Sequence, residues 1–124
     1  MAPKTTISEE QILQAAFKLV RKKGWNELSA RNLAKEIGCS TQPIYSAFKN
    51  MAELEERLIK IIQDFVMERY FLKGDSAEKF FEIGMGYVQL AKKDREFYYL
   101  LYMSGRIPLS FENEIYPVSK ELLL

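Results

Sequence analysis

S-A-R-N-L-A-K-E-I-G-C-S-T-Q-P-I-Y-S-A-F-K-N, residues 29–50, reads as two short helices joined by a tight turn. Ser29 can cap the first helix, with Leu33, Ala34 and Ile37 as its inward side. Gly38 ends it, because glycine enters the left-handed conformation without steric cost. After the turn Gly38-Cys39-Ser40, either Ser40 or Thr41 can cap a second helix running to about Phe48. Pro43 falls within its first turn, where backbone N–H groups have no intrahelical acceptor. Ile44 and Phe48, four residues apart, fix this helix against its neighbours. That leaves Gln42, Tyr45, Ser46 and Lys49, spaced i, i+3, i+4 and i+7, on one outward face. Such a polar face, on a helix set across another by a glycine turn, is what a helix-turn-helix offers the major groove.

Working outward, Ser8-Glu9-Glu10-Gln11 is a capping box that opens a helix from about Ser8 to Lys23, with Ile7 as the staple residue before it. Its buried stripe is Ile12, Ala16, Leu19 and Val20, with Leu13 and Phe17 beside them, and Gly24 stops it. The basic run Lys18, Arg21, Lys22 and Lys23 is explained first by cations favouring a helix C-terminus. Trp25 and Leu28 are expected to plug the gap between the first helices. Asn50 caps a fourth helix, with Glu53 three residues on, and Leu54, Leu58, Ile61, Ile62 and Phe65 carry it to about Leu72. At 1.5 Å per residue it spans ~30 Å, more than a three-helix head can cover.

Lys73-Gly74-Asp75 marks the next boundary. Asp75 or Ser76 caps a fifth helix to about Lys93, with Phe80, Ile83, Gly84, Tyr87, Val88 and Ala91 as its apolar side. Gly84 and Gly86 lower helicity, which points to close packing against another helix. Asp94 caps a sixth helix that directs Phe97, Leu100, Leu101 and Ser104 inward and ends at Gly105. From Arg106 to Pro117 the pattern is irregular, and Val118 to Leu124 begins a further helix. The three terminal leucines leave apolar surface without partners, as expected of a longer protein cut here or of an end that pairs with another chain.

The 124 residues suit one domain, or a small head with part of a second helical domain behind it. The net charge of +1 hides a division: residues 1–50 carry eight Lys/Arg against four Asp/Glu, the remainder ten against thirteen. A basic head on a mildly acidic body fits phosphate binding confined to the N-terminal third. No apolar run approaches the ~18 residues of a membrane span and no secretory signal opens the chain, so it is expected in the cytoplasm. The absence of histidine removes Ser-His-Asp and Cys-His nucleophile arrangements and His-based metal sites, and one cysteine cannot build a zinc cluster. No P-loop occurs. Neither an enzyme nor a bound metal or cofactor is expected.

Arg31, near the start of the first helix of the pair, can bond guanine O6 and N7, or clasp a phosphate. Gln42 suits adenine N6/N7, Thr41 and Ser46 can donate or accept, and Pro43 can touch a thymine methyl. Tyr45 and Lys49 are the strongest phosphate contacts, a phenol donating to one oxygen and an ammonium neutralising another. Twelve of the sixteen aromatics lie from Phe65 onward. Phe65, Phe80, Tyr87, Phe97, Tyr98 and Tyr102, with Phe81 and Tyr99, are candidates to line a pocket for a small apolar or aromatic effector.

Residues 8–58 resemble the tetracycline-repressor (TetR) family of bacterial transcriptional regulators. The matching elements are I-L-Q-A-A-F-K-L-V-R-K-K-G-W (12–25), L-S-A-R-N-L-A-K-E-I-G-C-S (28–40) and I-Y-S-A-F-K-N-M-A-E-L (44–54), above all Ile44-Tyr45 followed by Phe48-Lys49-Asn50 and a fresh helix. Residues 83–101 are similar, more loosely, to the opening helices of that family's regulatory domain. The resemblance implies an all-α protein: a helix-turn-helix DNA-binding domain (1–50), then a linker helix and the start of a ligand-binding helical domain (51–124). It further implies a homodimer in the full-length form, held by later helices of a longer chain. The chain departs from the family at Met51, where a phosphate-contacting lysine is common, and at Gln42, where glycine is common, so base preference does not transfer. The expected function is a ligand-responsive transcriptional regulator, a repressor of a palindromic double-stranded operator, with a helical protein-interaction module as the alternative.

Overall fold

The computed structural model describes residues 7–71 and 79–107, without the side chains of residues 79 and 80. The boundary at 73–75, the caps Asp75 and Ser76, the Phe80 ring and the helix expected from Val118 lie outside what is described. Among the described residues all regular structure is helical: α1 (Glu9–Lys23), α2 (Ala30–Ile37), α3 (Gln42–Ala47), α4 (Met51–Val66), α5 (Lys79–Lys93) and α6 (Arg95–Tyr98). None of these helices is long and apolar enough to cross a membrane. The chain divides into two compact units, the first ending at Lys60 and the second starting at Ile61.

In the first unit α1 packs on α2 and α3. The capping box forms as expected: Gln11 N donates to Ser8 Oγ at 3.1 Å and Ser8 N to Gln11 Oε1 at 2.9 Å. Ile12, Leu13, Ala16, Leu19 and Val20 are buried, and α1 stops at Gly24, whose φ of 96° favours glycine. A 3₁₀ turn follows at Trp25–Glu27, which the residues did not suggest. Trp25 and Leu28, expected to fill the gap between the first helices, are half-buried. The most deeply buried side chains of the head include Ile12, Leu33, Ile44, Leu54 and Leu58, all at most 1% exposed. Each such side chain contributes about 1.5–3 kcal/mol by leaving water.

At the start of α4, Glu53 N donates to Asn50 Oδ1 at 2.9 Å, the expected cap. The reciprocal bond lands one residue early, from Lys49 N to Glu53 Oε2 at 3.2 Å. Beyond Val66 the helix widens into a π-helical turn, Met67–Phe71, rather than staying α-helical to Leu72. Ile61, expected inside, is exposed, while Ile62 and Val66 are buried.

In the second unit α5 packs on that π turn and on α6. The buried line of α5 is Gly86 and Leu90, with Ile83, Tyr87 and Ala91 half-buried; Gly84 and Val88, expected inside, face out. Gly86 sets this rotation. A Cβ there would lie 2.6 Å from the Tyr70 carbonyl oxygen and 2.8 Å from the Phe71 ring, so only glycine lets the helix approach. A Cβ on Gly84 would meet nothing within 4 Å, so close packing explains one glycine and not the other. Asp94 occupies the cap position of α6 but its side chain does not cap. Asp94 is 3% exposed, and its carboxylate accepts the Tyr70 hydroxyl hydrogen bond. Phe97, Leu100 and Leu101 are buried as expected, the last two on a second π turn, Tyr99–Met103, and Gly105 follows with φ 77°.

Candidate nucleic-acid interface

Ser29 Oγ accepts from Asn32 N at 3.1 Å and starts α2. Asn32 Nδ2 also donates to the Glu27 carbonyl at 2.7 Å, tying α2 to the preceding 3₁₀ turn, a fastening the residue pattern did not reveal. Gly38 takes the left-handed conformation (φ 85°, ψ 37°), with Gly38 N and Cys39 N both donating to the Ala34 carbonyl at 2.8 and 3.0 Å. This closes α2 in the manner that glycine after a helix permits.

α3 begins differently from expectation. Thr41 stands at the cap position with helical backbone angles and makes no side-chain cap, and Ser40 makes none either. The physical reason is Pro43: at the second helical position it has no N–H to offer a capping hydroxyl. The next donor, Ile44 N, is taken by the Thr41 carbonyl at 3.1 Å, which also accepts Tyr45 N at 3.2 Å. Ile44 and Phe48 are 1% and 2% exposed, so the inner side of α3 is fixed where the spacing puts it.

The other side faces solvent. Gln42, Tyr45 and Ser46 are exposed, Tyr45 at 59%, while Thr41 and Pro43 are half-buried at the helix start. Lys49 is exposed but lies past the helix, which ends at Ala47 with Phe48 extended (φ −126°, ψ 136°). Its place therefore follows from the α3–α4 bend rather than from the i+7 spacing. Arg31 is exposed in the first turn of α2.

Of the candidate rings for an effector pocket, Phe65, Tyr87, Phe97, Tyr98 and Tyr102 make ring contacts within the second unit, while Phe81 and Tyr99 are exposed. Phe65 meets Phe97 edge-on with centroids 5.9 Å apart, Tyr87 meets Phe71 at 4.7 Å and Tyr102 at 5.2 Å, and Tyr98 meets Tyr102 at 5.8 Å. A cleft of about 500 Å³ opens in this unit, lined by Arg69, Tyr70, Phe71, Phe81, Met85 and Lys93 among others. Among the described candidate rings, Phe81 borders it.

A glycine-linked helix pair whose second helix turns polar side chains and a tyrosine outward defines a helix-turn-helix head, a class built for duplex DNA. Residues 12–58 match the family model of bacterial regulatory proteins, tetR family. Over 73 residues the chain is 36% identical to an uncharacterized HTH-type transcriptional regulator of Haemophilus influenzae, covering 59% of this chain and 39% of that protein. The chain thus spans well under half the length of the curated relative it matches. The family that residues 12–58 match is the one their resemblance implied.

Proposed function

We propose that this chain is a DNA-binding transcriptional regulator whose α3 enters the major groove. The observation that carries it is Tyr45, 59% exposed beside Gln42 and Ser46 on a helix whose opposite side is buried. A large ring left in water on a rigid polar face is placed for a partner, and the reading is supported by the match to bacterial regulatory proteins and by a relative named an HTH-type transcriptional regulator. Tyr45 and Lys49 contact phosphates, Gln42 and Ser46 meet base edges, and Arg31 takes a guanine or a phosphate from α2. Thr41 and Pro43 border the groove at the start of α3.

The finer assignment is a ligand-responsive repressor acting as a dimer on a palindromic operator. The basic N-terminal third and the aromatic-rich second unit support it. An effector held in that unit shifts α4 only if it binds the DNA-competent and released conformations with different affinity. Selecting bound sequences from random duplexes tests the proposal: a recovered inverted repeat supports the dimeric operator reading. A pool that stays random, with no salt-sensitive binding, turns the assignment to a protein-interaction module instead.

A further inference from the structure

Arg57, two turns into α4, touches two other elements of the head at once. Its Nη1 donates to Glu9 Oε2 at 2.7 Å, at the first residue of α1. Its guanidinium carbon also lies 5.5 Å from the centre of the Phe48 ring, the residue that closes α3. Phe48 is 2% exposed, so the ring is held by the core on the sides that the guanidinium leaves uncovered. A planar cation can stack on a ring while its edge bonds a carboxylate, a pairing of contacts that an ammonium reproduces less well. We infer that Arg57 is a positioning residue: from within α4 it fastens the end of α3 and the start of α1, and so sets how well α3 discriminates between DNA sequences.

This inference rests on the DNA-binding reading but goes beyond it, since Arg57 is on none of the surfaces expected to touch DNA. Neither contact is large by itself. Arg57 and Glu9 side chains are 45% and 50% exposed, where an ion pair is screened by water. Their shared effect is on angle. A recognition helix free to rock keeps its attraction for phosphates and loses alignment with base edges.

The test uses the full chain and two duplexes, one selected and one random, titrated at several salt concentrations, with wild type, Arg57→Met, Arg57→Lys and Glu9→Gln. Met keeps the stem over Phe48 and drops the charge; Glu9→Gln leaves Arg57 stacked and weakens the tie to α1. Expected is a selected-over-random ratio about five- to tenfold lower in Arg57→Met, a smaller fall in Glu9→Gln, partial recovery in Arg57→Lys, and random-duplex affinity and salt slope unchanged. Equal losses on both duplexes with a salt slope lower by about one would make Arg57 a phosphate contact and overturn the inference. A lower melting temperature with the ratio intact would make it merely structural and overturn it too. Wild type binding no duplex would sink the DNA-binding reading and this inference with it, whereas a selective wild type with equally selective variants sinks this inference alone.

Discussion

Single side chains divide sharply here by what the chain pattern can show. Ile44 and Phe48 are buried and Gln42, Tyr45 and Ser46 exposed, as helical spacing alone requires. The same spacing puts Lys49 on the helix, yet it stands beyond the end, because the α3 ladder stops at Ala47 when Phe48 turns extended. Asp94 misleads for a related reason. An aspartate before a helix signals a cap, but its partner, Tyr70, is 24 residues away and no local pattern points to it. Removing that hydroxyl with Tyr70→Phe leaves a buried carboxylate with one hydrogen bond fewer. A loss of about 1.5–3 kcal/mol in urea unfolding is expected, and an unchanged midpoint would deny the bond any weight. For the interface, Gln42→Ala is expected to shift preference at one base pair by about 1–3 kcal/mol while leaving random-duplex binding alone, as read by competition titration.

At the level of elements, the helix starts and stops are legible wherever the chemistry is local. Ser8 with Gln11, Ser29 before α2, Gly38 after it and Asn50 before α4 all act as their types suggest. The 3₁₀ turn at Trp25 and the π turns after Val66 and Tyr98 stay hidden, since these arise from packing rather than from any residue signature. The rotation of α5 belongs with them. The periodic apolar side takes in Gly84 and leaves Gly86 out, yet it is Gly86 that the Tyr70 backbone approaches. Opposite outcomes therefore follow from one substitution made twice. Gly86→Ala is expected to destabilise the protein by about 1–3 kcal/mol through overpacking. Gly84→Ala is expected to stabilise it by up to about 1 kcal/mol through helix propensity alone. Thermal unfolding of the two variants checks this, and matching shifts would show that α5 is not seated on Tyr70 and Phe71.

For the molecule as a whole, the class is readable because the head's signals agree with one another: a capped basic helix, a glycine turn, an outward tyrosine and a fresh helix at Asn50. The second unit is less legible. Its aromatics announce a dense core, and the structure joins Phe71, Tyr87, Tyr102 and Tyr98 in one chain of ring contacts. Yet which side of that core offers a cleft depends on packing that spacing does not encode. The central claim is that α3, with Lys49 beside it, enters duplex DNA. Its most direct test is an equilibrium titration of a selected duplex with wild type, Tyr45→Ala and Lys49→Ala between about 50 and 200 mM salt. Affinity is expected to fall linearly with salt on logarithmic axes, with Lys49→Ala weaker and its slope shallower by about 0.9, and Tyr45→Ala weaker at unchanged slope. Three coincident lines would contradict it.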